Sequence, residues 1–422
     1  MKTHRIYSGF SATLFAFAAV THVTAQAIVD PTKPPPPAGP AKPAEGAPSP
    51  FNFTASYTAD LLSVVSGGRS GGVGYVDLAK LSAAYDGAGA GQEGLTGLVS
   101  LEHANGSDFT ARHVGGVQSV SALEAQPEAF RLYEAWLQKD ILNGQGGVKL
   151  GLIDINTTYD VQETAALFIN ASEGIGPDVS DTGLNGPSDY PTPALAVTSF
   201  YRPAEGWTVQ LGIFDGAAGD PSHRNDFVAV KLEGALLIGQ LEKRFGDVAR
   251  IETGAWSYTA AFPSLDQINA AGAARAVHGN DGLYGLIEGR LMAKPGVGGG
   301  DSQGGGLSGW LRVGFANGDI NPIEKYVGGG LVYTGLIPGR DKDEIGFAVA
   351  RSELGRGAHS AGLAKGRDIG GGETDMEAIY RYAFKEWLNI QPDVQYVIDP
   401  HADRQIPDAL VVGVRLAFTY SK

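Results

Sequence analysis

The chain has 422 residues, of which 43% are hydrophobic and 9% aromatic, so it is long enough to bury the core of a substantial domain. Its formal net charge of −14 argues against nucleic acid as a partner, because phosphate binding requires a basic surface. The absence of cysteine excludes disulfides, thiolate metal sites and cysteine nucleophiles.

The N-terminus has the three-part pattern of a secretory signal peptide. A short basic region is followed by an apolar stretch at residues 10–20 and by the small-residue cleavage site Ala25-Gln26-Ala27. An anchoring helix is the alternative, but the apolar stretch is too short to span a bilayer. We therefore predict a signal peptide at residues 1–27. No later stretch reaches the roughly 18 consecutive apolar residues that a spanning helix needs.

Residues 28–50 are dense in proline, with alanine, glycine and lysine between. Proline favours extended polyproline II and this composition cannot bury a core, so the segment is predicted to be a periplasmic linker. A function in contacting the cell wall stays open as the alternative to an unstructured leader.

From residue 51 onwards, apolar and polar residues alternate in short runs. Side chains on a strand point alternately to opposite faces, so each run predicts a strand with one apolar and one polar face. The clearest are the last three strands, at 376–384, 390–398 and 410–420. The other predicted strands are at 51–58, 75–84, 95–102, 148–152, 195–202, 207–215, 228–232, 234–243, 248–258, 284–292, 307–315, 325–336 and 343–352.

Two further segments need separate interpretation. Residues 121–140 are ambiguous, because Ser121 to Glu124 resembles a helix capping box whereas 131–137 also fits a strand. Residues 173–193 are rich in glycine, proline, aspartate and asparagine and are predicted to be a long loop, which in a compact domain is usually functional or disordered.

Strands that are apolar outside and charged inside, joined by turns of alternating length, are typical of a transmembrane β-barrel. The predicted fold is therefore all-β: an antiparallel barrel of about sixteen strands over residues 51–422, with short periplasmic turns and longer extracellular loops. Trp207 and Trp387 lie beside turns and fit the aromatic belt of such a barrel.

Motifs for catalysis are not found. The chain lacks HExxH, GxSxG and P-loop sequences, and the glycine cluster at 67–74 lacks the strand and helix that phosphate binding requires. The histidines are scattered without ligand spacing. We expect no enzymatic activity, no metal and no cofactor.

Polar residues on the inward register are the candidate functional residues, because polar side chains must avoid the hydrocarbon of a bilayer. Two roles stay open for each: bracing the wall through ion pairs, or lining a channel in which basic and amide groups hydrogen-bond sugar hydroxyls. The residues are Arg202, Gln210, Glu288, Arg290, Trp310, Arg312, Arg381, Asp393, Gln395 and Arg415.

Nine short segments, in this order along the chain, resemble the OprB family of carbohydrate-selective porins of Gram-negative outer membranes: 112–115, 131–137, 167–170, 174–178, 185–188, 209–216 with 219–220, 233–237, 331–340 and 388–400. The resemblance implies a sixteen-stranded barrel, passive diffusion of glucose and related sugars, and a constriction narrowed by inward-folded loops. As a hypothesis, we place the constriction near Arg112, Lys149, Asp154 and the loop that follows.

The leading prediction is thus an outer-membrane porin for facilitated diffusion of carbohydrates. A general, weakly selective porin, a secreted soluble carbohydrate-binding β-protein and a barrel that anchors the envelope through its proline-rich arm are the alternatives. The expected partners are small sugars, outer-membrane lipid and lipopolysaccharide, and the barrel-assembly machinery during biogenesis. A monomer and a homotrimer both stay open.

Overall fold

A computed structural model describes residues 49–219, 227–228, 232–268, 273–294 and 305–422. Within these ranges, sixteen strands form one closed barrel in which neighbouring strands are antiparallel, and the first strand closes the ring by pairing with the last. Two further strands form a separate hairpin. The strands are β1 (Phe51–Ser66), β2 (Gly72–Asp86), β3 (Leu95–Ala104), β4 (Ala129–Ile141), β5 (Gly146–Ile153), β6 (Ala194–Tyr201), β7 (Trp207–Asp215), β8 (Ala235–Phe245), β9 (Ala249–Tyr258), β10 (Phe262–Ile268), β11 (Ala274–Val277), β12 (Asp281–Ala293), β13 (Gly306–Ala316), β14 (Ile323–Thr334), β15 (Glu344–Leu354), β16 (Gly372–Lys385), β17 (Leu388–Ile398) and β18 (Ala409–Ser421).

The alternation of the sequence explains the two faces of the wall. On β17, Val394 and Tyr396 are exposed on the outside, whereas Asp393 and Gln395 are buried on the inside. Only the apolar pair, Val394 and Tyr396, is suited to contact with the hydrocarbon of a bilayer. Because the ring of strands is closed, no strand edge is left unpaired in lipid. The predicted antiparallel barrel of sixteen strands is confirmed.

Two differences from the predicted elements have local causes, and one predicted strand cannot be compared. Residues 121–124 form a turn, in which Ser121 Oγ accepts a hydrogen bond from Leu123 N at 3.1 Å, so the capping-box pattern does not start a helix. The hairpin β10–β11 is too short and irregular in its alternation to have been predicted. The strand predicted at 228–232 lies largely outside the described residues.

The two ends of the barrel differ in their connections. One end has short turns, including 142–145, 202–206, 246–248 and 386–387, and also holds the last described residues, where Lys422 N donates to Phe53 O at 2.9 Å. The opposite end carries the two longest connections, loop 105–128 between β3 and β4 and loop 154–193 between β5 and β6. We call these the short-turn end and the long-loop end.

Aromatic side chains surround the outside of the short-turn end. Trp387 stacks on Phe418 with ring centroids 6.1 Å apart, and Trp207 is 39% exposed with Lys243 Nζ 5.1 Å from its ring centroid. Such rings are suited to the headgroup level of a membrane, because one side is apolar and the other polar.

The helices are short: α1 spans Pro177–Ser180 and α2 spans Arg356–Ala364. Across the described ranges, no helix combines the length and the apolar character that crossing a membrane would take. The predicted signal peptide, and all but the last two residues of the predicted linker, lie outside the described residues.

Candidate functional site

Loop 154–193 enters the barrel and follows its inner wall from β7 to β17. The wall side chains that bind it are polar, and most bind its backbone rather than its side chains. The contacts include Gln240 Oε1 accepting from Asp160 N at 3.0 Å, Tyr326 donating its hydroxyl to Ser172 O at 2.8 Å, and Gln391 donating to Leu167 O at 3.1 Å. The loop therefore narrows the lumen as part of the folded wall.

Arg312 on β13, whose side chain is 0% exposed, anchors this loop through two buried ion pairs. Its guanidinium lies 3.0 and 2.7 Å from the two carboxylate oxygens of Asp160, and Nη2 lies 3.1 Å from Oδ2 of Asp178. A Cβ at Gly314 would lie 2.0 Å from the Asp178 carboxylate, so this approach requires glycine. One cation thus holds two separate points of the loop to one strand.

Three glutamates of the wall make a second kind of anchor. Each accepts hydrogen bonds from two successive backbone N–H groups, which a carboxylate can do because it offers two acceptor oxygens. Glu288 accepts from the N–H groups of Glu163 and Thr164 at 3.1 and 2.7 Å. Glu377 accepts from those of Ile169 and Asn170 at 2.8 and 3.0 Å. Glu373 accepts from those of Val117 and Gln118 in loop 105–128, both at 2.8 Å.

The inner faces of β2 to β5, across the ring from these anchors, carry a different group of side chains. Lys80 Nζ lies 2.9 Å from Glu102 Oε1 and 4.7 Å from the ring centroid of Tyr133. Lys149 Nζ lies 4.5 Å from the ring centroid of Trp136. We call this group the lumen strip: Lys80, Glu102, Tyr133, Glu134, Trp136, Lys149 and Asp154.

The lumen strip is connected internally by hydrogen bonds as well as by these cation contacts. Trp136 Nε1 donates to Glu134 Oε1 at 3.2 Å, and the Tyr133 hydroxyl donates to the Asp154 carboxylate. Beside Asp154, burial and the neighbouring carboxyl hold the pKa of Asp189 well above its usual range. The strip therefore presents the half-buried side chains of Lys80, Trp136 and Lys149 to the lumen, and its buried carboxyls offset the charge of the two lysines.

The three residues predicted to mark the constriction separate in the structure. Lys149 and Asp154 both belong to the lumen strip. Arg112 does not: it lies in loop 105–128 at the long-loop end, pairs with Asp108 of the same loop, and has a 67% exposed side chain. Its part in the constriction stays a prediction.

Four predicted residues are occupied with other protein groups. Arg312 binds the loop, and Gln210 accepts a hydrogen bond from Gln240 at 2.8 Å. Asp393 accepts one from Gln395 at 2.9 Å, and Arg415 pairs with Asp60 at 2.7 Å. These contacts are of the bracing kind, and a role in lining the channel stays a prediction for each.

The remaining three lie towards the short-turn end. Arg202 follows β6 and donates to Gly144 O at 3.2 Å, Arg290 lies near the end of β12, and Arg381 pairs with Glu344. All three are basic and lie near the opening of the lumen at this end. Their role as lining residues also stays a prediction.

Sequence reasoning did not single out Lys80, Glu102, Glu134 or Trp136. The signal was present in part, because Lys80 follows Val76 and Leu78 at two-residue spacing in a predicted strand. It did not reveal which inward residues a loop would cover and which would stay accessible, since that depends on contacts more than fifty residues away in sequence.

A buried carboxyl in loop 154–193 predicts a pH dependence. Glu173 is 2% exposed, and burial raises its pKa to about 8. A carboxyl with a raised pKa stabilises the attached loop when protonated, so that contribution is complete at low pH and is lost as the pH rises through about 8.

We expect wild-type conductance to rise between about pH 5 and pH 8, and Glu173→Gln to flatten this profile in planar-bilayer recordings. Glu128→Gln, at an exposed position of loop 105–128, is the control; parallel profiles for all three proteins would contradict the prediction.

The comparisons agree with this architecture. Residues 76–420 match the family model described as carbohydrate-selective porin, OprB family. Porin B of Pseudomonas aeruginosa is 22% identical over 334 residues, which are 72% of this chain and 71% of that protein. A high-pH structure of Pseudomonas putida OprB superposes with a TM-score of 0.78 at 19% identity, covering 88% of this chain and 94% of the other. The low-pH structure of the same protein gives 0.54 at 17%, covering 88% and 92%.

Proposed function

The chain belongs to the OprB family of carbohydrate-selective porins, and on that premise we propose that sugars cross its barrel between the lumen strip and the segment of loop 154–193 that β12 to β17 hold. It is an outer-membrane channel rather than an enzyme, and its short-turn end faces the periplasm as in other such barrels. Facilitated diffusion needs no chemical step: only a passage that a sugar can enter and leave.

The chemistry of the lumen strip supports a neutral, hydroxylated solute. A sugar hydroxyl both donates and accepts hydrogen bonds, and the strip offers the half-buried Lys80 and Lys149 as donors, while Glu102 and Glu134 lie buried beside them and offset their charge. The face of Trp136 offers a surface on which the C–H groups of a pyranose ring can pack. Glucose and related mono- and oligosaccharides are the solutes that we propose.

The path to the membrane is part of the same proposal. The basic, apolar and Ala25-Gln26-Ala27 regions support removal of residues 1–27 on export, and the proline-rich composition supports a linker at 28–50. Outer-membrane lipid, lipopolysaccharide and the barrel-assembly machinery would be its partners, as monomer or homotrimer.

The test of sugar selectivity is swelling of proteoliposomes in glucose, a disaccharide, an amino acid and a salt at matched osmolarity. Faster entry of glucose than of an amino acid of similar size is the expected result. Equal entry at matched size would replace the proposal with a general porin, and no entry would remove the channel function.

Within the lumen strip, Lys149→Met should slow glucose entry by roughly fivefold, because one hydrogen bond to the sugar of about 1 kcal/mol is lost. Lys139→Met is the matched control: Lys139 lies on the next strand, where its Nζ donates to Glu93 O at 2.6 Å and its side chain is exposed. The same loss of entry in both variants would show that the effect does not come from the strip.

A further inference from the structure

A cavity of ≈ 260 Å³ lies on the short-turn side of loop 154–193, apart from the lumen strip. One side is the inner wall at β13 to β16 and the other is the segment of the loop that Glu288 holds. Its lining includes Glu163 and Ala166 from the loop and Ser308, Thr334, Glu344 and Arg381 from the wall.

The charged groups of this cavity balance one another. Arg381 pairs with Glu344, whose carboxylate also accepts from Thr334 Oγ1 at 3.2 Å. Glu163 pairs with Arg244 at 2.6 Å. An anion or a cation would meet no surplus of opposite charge, so the lining favours an uncharged ligand.

The remaining lining supplies two complementary surfaces. The hydroxyl of Ser308 can donate and accept, as the hydroxyls of a sugar do, and the Thr334 hydroxyl, which donates to Glu344, can still accept. Ala166 is exposed beside the buried side chains of Leu167 and Val332, and it supplies apolar surface on which the C–H face of a pyranose can pack. A neutral polyol with one polar edge and one apolar face matches both.

We propose that this cavity is a second sugar-binding site, which holds a neutral hydroxylated solute on the periplasmic side of the constriction. The proposal rests on the proposed function and adds a place where the sugar pauses after the lumen strip. Such a site gives the passage two weak steps instead of one, which lets a solute bind well enough to enter and still leave.

The experiment measures how glucose reduces the ionic current of single channels when it is added from one side of a planar bilayer. The chain has no cysteine, so Ala90→Cys in the short turn after β2 lets a membrane-impermeant thiol reagent assign the orientation of each channel. Each variant below is made in this background.

The double variant Ser308→Ala with Thr334→Val should weaken the apparent affinity for glucose added from the short-turn side by roughly tenfold. Block from the long-loop side should change by less than about twofold, since the lumen strip is intact. Ala166→Leu, which fills the cavity without removing a hydroxyl, should have the same one-sided effect and decides the matter if the double variant fails to assemble. Ser257→Ala, on the outer face of β9, is the control.

Unchanged block from the short-turn side in both variants would overturn the second site, as would a wild-type channel that glucose blocks from the long-loop side alone. Either result leaves the proposed function standing if liposome swelling still favours glucose. Failure of the proposed function would give a different result. Liposome swelling would then show no preference for glucose, and Lys149→Met and wild type would admit glucose at the same rate.

Discussion

Replacing Arg312 with methionine is expected to raise the single-channel conductance several-fold and to abolish the preference for glucose over an amino acid of similar size. Methionine fills a similar volume without the charge, so Asp160 and Asp178 would keep their positions only as uncompensated buried carboxyls. Removing one partner of a buried ion pair costs about 3–5 kcal/mol. This exceeds the worth of any one neighbouring hydrogen bond, so loop 154–193 should detach from β13.

The protonation of Asp160 does not rescue this variant at neutral pH. Burial raises the pKa of Asp160 to about 6, and Arg312 is the main group that opposes the rise. Without the guanidinium the carboxyl is either ionised and unpaired or protonated and bound to nothing on the wall. Conductance in planar bilayers, together with the swelling assay, measures the outcome.

Arg351→Met is the matched control, because Arg351 lies on the outer face of β15 with a 45% exposed side chain. Its conductance should equal that of wild type. An Arg312→Met channel with wild-type conductance and selectivity would mean that the backbone contacts alone hold the loop, and would assign Arg312 to wall stability.

The second large effect is expected at Glu377, where Glu377→Met leaves the N–H groups of Ile169 and Asn170 without their acceptor. An unpaired buried N–H costs about 1–3 kcal/mol, so the segment should open more often. Hydrogen exchange of a peptide covering 165–172 should speed up by at least tenfold, which corresponds to about 1.4 kcal/mol. Conductance substates should appear at the same time.

Glu377→Gln separates acceptor loss from a general disturbance of β16. Glutamine keeps one carbonyl oxygen, so its exchange rate should lie between those of wild type and Glu377→Met. If glutamine and methionine accelerate exchange equally, or if neither does, the carboxylate is not what holds this segment.

The barrel itself could be predicted because its information is local. The alternation in β17 and β18 appears within ten residues of sequence, and it directly sets which side chains face lipid. The inward position of Arg312 and Asp393 followed from the same rule.

What could not be predicted is which inward residues a loop would use. Arg312 meets Asp160 and Asp178 across separations of 152 and 134 residues, and no local pattern reports such a pairing. The same holds for Glu377, whose partners Ile169 and Asn170 are backbone groups that every sequence possesses. Lys80 differs from these residues because no loop binds it. Its strand was predicted, but its exposure to the lumen depends on where loop 154–193 runs, which the sequence of the strand does not report.

The glutamate anchors have a consequence for how the sequences of the two long loops can vary. Glu288, Glu377 and Glu373 bind backbone N–H groups, which every residue except proline supplies. The side chains at these anchored positions can therefore be exchanged while the contacts to the glutamates stay the same. The selectivity of such a channel for solutes can be changed by substitutions in its loops, provided that Asp160 and Asp178 are kept for Arg312 and that no proline is placed at an anchored position.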